Sequence, residues 1–120
     1  MYLEVRTELK QKTQSLDQRQ QRKAVPDRLS RELKAIKKFV KLLHDPHQAV
    51  PIDSIDDWEI RTRIYLRENL SEAHENLFMS EAGAPRPPIY QLVEERAGPL
   101  QRLHYRYYQL GRILHRLISD

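Results

Sequence analysis

A chain of 120 residues is long enough for one domain and too short for two ordinary ones. With 39% hydrophobic and 32% charged residues it can fill one core only if its elements are strongly one-sided, and three glycines with scattered β-branched residues argue against a sheet. The formal charge of +4 leaves basic surface suited to a polyanion or an acidic protein face, and the absence of cysteine excludes a disulfide framework or a thiolate metal site.

That charge is uneven: residues 53–83 carry −5, while 1–24, 25–52 and 84–120 each carry +3. In chain order, Tyr2, Val5, Leu9 and Leu16 stand at heptad-like offsets and predict a helix over 2–24. Beyond Leu16 the run Asp17 to Lys23 has good helix formers but nothing to bury, so its amides are expected to exchange fast. Pro26 then breaks the pattern and Asp27 is placed to cap a second helix over 27–44. Its seam is Leu29, Leu33, Ile36, Val40 and Leu43, widened by Phe39, and Arg31, Lys34, Lys38 and Lys41 fall on the opposite side.

Pro46 and Pro51 end that helix in a connector of ordinary length. A third helix over 54–79 is expected to be capped by Asp53 or Ser54, anchored by Trp58, and to turn Ile60, Ile64, Leu66, Leu70, Ala73, Leu77 and Phe78 inward. The run Ala82 to Pro88 is a break, a short helix follows over 88–96, and Gly98-Pro99 separates it from a long helix over 99–119. In that last helix Leu100, Leu103, Tyr107, Leu110, Leu114 and Leu117 form the seam, with Arg102, Tyr105, Gln109, Arg112 and Arg116 about half a turn away. The fold class is therefore all-α: a single-domain bundle of four main amphipathic helices plus one short helix.

His44 and His47 flank a proline without the further ligands a structural zinc needs, and His74, His104 and His115 read as core-edge residues. Glu68, Glu72 and Glu75 imitate a carboxylate metal face, yet no Glu-x-x-His accompanies them, and the plainer reading is a solvated acidic face. The Pro-x-x-Pro at Pro85 to Pro88 reads as a stiff loop, and no phosphate loop, nucleophile elbow or His-Glu-x-x-His occurs. No enzyme activity, metal, cofactor or small-molecule substrate is expected.

The informative feature is two cationic stripes, Arg31, Lys34, Lys38 and Lys41 on one helix and Arg102, Arg106, Arg112 and Arg116 on another. Arginine meets phosphate in a bidentate way, and Tyr105 and Tyr108 lie beside the second stripe where they can stack on bases. No helix-turn-helix, finger or basic-zipper pattern suggests that base sequence is read. The expectation is a non-catalytic subunit that binds the backbone of DNA or RNA, together with other protein subunits, in a larger nucleoprotein assembly. The alternative is a helical adaptor with no nucleic-acid role.

In length, helical pattern and paired basic faces, Arg31 to Lys41 and Arg102 to Arg116, the whole chain resembles the small helical subunits of CRISPR interference complexes. The resemblance implies phosphate contacts along guide and target strands, without chemistry. A charged N-terminus and the lack of any run of apolar residues long enough to span a bilayer make the expected location the cytoplasm, with no membrane partner.

Overall fold

The computed structural model describes residues 24–88 and 91–119. The expected helix over 2–24, with its fast-exchanging second half, lies outside them apart from its last residue. Four helices make up the described part: α1 over 24–44, α2 over Ile52–Asn69, α3 over Glu72–Phe78 and α4 over Glu94–Ser119. Among the described residues there is no strand, and the chain is an all-α, single-domain bundle as its periodicity predicts.

The seam of α1 behaves as its spacing requires. Leu29, Ile36 and Leu43, seven residues apart, are fully covered, and Leu33, Val40 and Phe39 pack against them from the flanks. From α2 come Ile55, Trp58 and Leu66, from α3 Phe78, and from α4 Leu100, Leu103, Leu110 and Ile113. Trp58 is the keystone. Its ring meets Phe39 at 6.1 Å and Phe78 at 5.9 Å, both edge to face, the geometry the aromatic quadrupole favours. Its indole N–H donates to the Glu32 carboxylate, so the one polar atom of the side chain is satisfied.

Several expected boundaries are displaced. Residues 24–44 are continuously helical, so Pro26 lies within the helix and does not mark a break before it. Asp27 is accordingly within the helix and not its cap. α2 starts at Ile52 behind Pro51 with no side-chain cap, so neither Asp53 nor Ser54 plays that part, although Asp53 in the first turn suits the helix dipole.

The helix expected over 54–79 is two helices. At the junction the N–H groups of Leu70 and Ser71 both bond to the Leu66 carbonyl, and the Ser71 hydroxyl accepts from the His74 N–H at 3.2 Å. Serine offers the backbone a cap in place of the next helical bond, and the axis breaks there.

Conversely, the short helix over 88–96 and the long one over 99–119 are not separated at Gly98-Pro99: α4 runs through both residues from Glu94. A residue before proline avoids helical angles because its Cβ meets the proline ring, and Gly98 has no Cβ. Arg96 also ties this first turn of α4 to the end of α1. Its guanidinium donates to the carbonyls of Leu43 (3.1 Å), Asp45 (2.9 Å) and Gln48, taking up acceptors the end of a helix leaves bare.

The inner face of α2 is rotated from the expected one. Ile55, Trp58, Glu59, Thr62 and Leu66 are buried, whereas Ile60 is 54% and Ile64 38% exposed. Seating the indole between two phenylalanines fixes the rotation of the helix, and the isoleucines two and six residues on are carried outward. On α4, Tyr107 is likewise 40% exposed instead of filling the seam, while Gln109 is completely buried.

Candidate functional site

The stripe on α1 survives folding intact. Arg31, Lys34, Lys38 and Lys41 are all exposed and none forms an ion pair with a described residue. Their steps of three and four put them opposite Leu29, Ile36 and Leu43, so the same packing that buries the seam holds the cations outward. Lys37 is also exposed and carries the positive arc round toward α4, where its ammonium lies 6.0 Å from the centre of the Tyr107 ring.

The stripe on α4 does not survive in the same sense. Arg102 donates through Nη1 to Asp56 at 2.6 Å and through Nε to Glu59 at 2.5 Å. Arg106 places Nε 3.4 Å from the same Glu59 oxygen, donates to the Phe78 carbonyl at 3.3 Å, and keeps only 11% of its side chain exposed. Burial alone lowers the pKa of Arg102, and the bonds to Glu59 and Asp56 outweigh it, so the guanidinium is held more firmly charged than in water.

Arg112 is half-buried over the Tyr108 ring and donates to the Ala82 carbonyl and to Gln109 Oε1, both at 3.3 Å. Tyr105 is half-buried with its ring against His104. Of this set only Arg116 is exposed. The acids that engage Arg102 and Arg106 lie on α2, more than forty residues earlier, which is why the helix wheel of α4 alone shows no partner for them.

Other polar groups serve the same internal purpose. Glu32 accepts from Arg28 at 2.9 Å and from Trp58, and the Thr62 hydroxyl lies 3.4 Å away. Arg28 stands 4.7 Å over the Tyr65 ring, whose phenol is pushed above its ordinary pKa by burial despite the nearby arginines. Glu75, expected on a solvated face with Glu68 and Glu72, is buried and faces Arg63 at 3.4 Å and Arg67 at 3.7 Å. Gln109, on the expected basic face, donates to the carbonyls of Ser80 (3.0 Å) and Ala82 (2.9 Å) and so pins the loop after α3.

Among the described residues, one cleft lies on each side of α1. The one toward α2, about 340 Å³, is lined by Arg28, Glu32, Asp57, Trp58 and Arg61 among others, but its arginines are already paired, Arg28 with Glu32 and Arg61 with Asp57. The one toward α4, about 260 Å³, has an apolar floor of Ile36, Val40, Leu100 and Leu103 and a rim that includes Lys37 and Tyr107. Neither rim residue stands out in the sequence, since Lys37 lies between the stripe and the seam and Tyr107 falls at a seam position. The signal that finds Tyr107 is chemical: it is the one residue of a leucine seam with a polar tip, the type that settles at a wet edge.

Among the described residues no three histidine, cysteine or acidic side chains are grouped to hold a metal, and no helix is long and apolar enough to cross a membrane. No family model, characterised protein or solved structure matches this chain, and nothing in those comparisons links it to CRISPR complexes or to any other family.

Proposed function

We propose that this protein is a non-catalytic helical module that binds a nucleic-acid backbone through the outer face of α1, within a larger assembly. The observation that carries the reading is the contrast between the two stripes. Folding neutralises Arg102 and Arg106 with acids from α2, yet leaves Arg31, Lys34, Lys38 and Lys41 exposed and without acidic partners among the described residues. Four cations on one rigid helical face offer successive contacts to a row of phosphates.

Fluorescence anisotropy with a labelled oligonucleotide across a salt series tests it. In Lys34→Ala/Lys38→Ala/Lys41→Ala the buried seam is untouched and alanine suits a helix, so the fold is retained. The slope of log affinity against log salt should become shallower by about 0.7–0.9 per lost phosphate contact, roughly 2 to 3 units in all. Parent-like affinity and slope in this variant refute the role of the stripe.

A helical adaptor is the second reading, and the exposed Ile60 and Ile64 favour it: they stand one turn apart on the outer face of α2, a place where a solvated helix carries polar residues. Capture from native lysate with and without nuclease, read beside the salt series, separates the two: a nuclease-resistant protein partner together with no salt-sensitive nucleic-acid binding is the adaptor's outcome.

A further inference from the structure

We infer that the groove between α1 and α4 is a seat for an unpaired base, so that the preferred ligand is single-stranded nucleic acid. This rests on the backbone-binding reading and adds a ligand class to it.

The groove has the two properties such a seat needs. Its floor of Ile36, Val40, Leu100 and Leu103 is apolar and belongs to the packed core, so it is already shaped before anything binds. Its rim holds an aromatic ring that folding has not covered, Tyr107, whose fractional exposure of 40% is out of keeping with the buried leucines before and after it in the seam. An aromatic face is the usual partner of an unstacked base, since every base has a π-face and stacking asks for no particular sequence.

Position supplies the charge. Lys37 lies on the groove rim, and Lys34, Lys38 and Lys41 follow around the same exposed side of α1. A strand whose phosphates track these lysines passes the mouth of the groove, and one of its bases can turn inward against Tyr107. The Lys37 ammonium is 6.0 Å from the ring centre, at the outer limit of a cation–π contact, so moving it aside for a base costs little. A duplex keeps its bases paired and stacked and has none to offer. Tyr105 and Tyr108 are less suited, because His104 lies against the first and Arg112 over the second.

The test compares a labelled oligothymidylate with a duplex of equal length, using the full chain and the variants Tyr107→Leu, Tyr107→Phe and the α1 triple-lysine variant, each first checked by thermal melting. Tyr107→Leu keeps an apolar side chain and removes the π-face. It should weaken oligothymidylate binding roughly ten-fold and leave duplex binding unchanged, while Tyr107→Phe binds like the parent. If Tyr107→Leu binds oligothymidylate like the parent while the triple-lysine variant is weakened, the base seat is overturned, the groove is left to an apolar side chain of a protein partner, and backbone binding stands. If the parent binds neither strand form in a salt-sensitive way, both readings fall.

Discussion

Glu59→Ala tests whether the arginines of α4 belong to the interior. Glu59 is 5% exposed and is the carboxylate shared by Arg102 and Arg106. Removing it leaves Arg102 with Asp56, whose side chain is half in solvent, but leaves Arg106, among the described residues, with the Phe78 carbonyl and the Phe78 ring face. Stranding one member of a buried ion pair costs about 3–5 kcal/mol, a large share of the roughly 5–15 kcal/mol that holds a domain of this size together. Followed by far-ultraviolet ellipticity in urea, with a slope of about 2 kcal/mol per molar, the midpoint should fall by about 2 M. Two companions sharpen the result. Asp56→Ala, at the exposed end of the network, should cost under about 1 kcal/mol. Glu59→Leu/Arg106→Leu, which removes both buried charges, should recover much of the loss. A cost below about 1 kcal/mol for Glu59→Ala would refute the reasoning: Arg102 and Arg106 would then be solvated and free to meet phosphates, and the second basic stripe would be restored as a binding surface.

Gln109→Leu should destabilise by about 1–3 kcal/mol in the same urea assay, because the carbonyls of Ser80 and Ala82 lose their buried donor, and faster amide exchange over 80–84 should accompany it. Gly111→Ala should raise stability by about 0.5–1 kcal/mol, since the residue lies within α4 and an added Cβ meets nothing within 4 Å. Gly83→Ala should do the reverse, because φ is +77° there and the new Cβ would sit 3.1 Å from Arg112 Nη1; a thermal melt of the two alanine variants side by side settles the sign.

Spacing alone was enough for the fold class and for α1. Leucine and isoleucine at steps of three and four bury one stripe as a helix, and Arg31, Lys34, Lys38 and Lys41, opposite that stripe on α1, are exposed as the spacing predicts, whereas Gln109, opposite the seam of α4, is buried by another element. Where helices begin and end was less legible, because Ser71 and Gly98 act through one residue's geometry: a hydroxyl that competes for an N–H, and a missing Cβ that lets a helix pass through proline. Which arginines are free was not legible at all. A wheel shows only the faces of its own helix, whereas the acids that claim Arg102 and Arg106 arrive from α2, and their arrival depends on the rotation that Trp58 imposes by seating between Phe39 and Phe78. That rotation exposes Ile60 and Ile64, and the packing of α4 against α1 leaves Tyr107 on a groove rim beside Lys37. Local period determines which residues share a face; only the docking of helices far apart in sequence decides which charges are neutralised and which aromatic ring stays exposed.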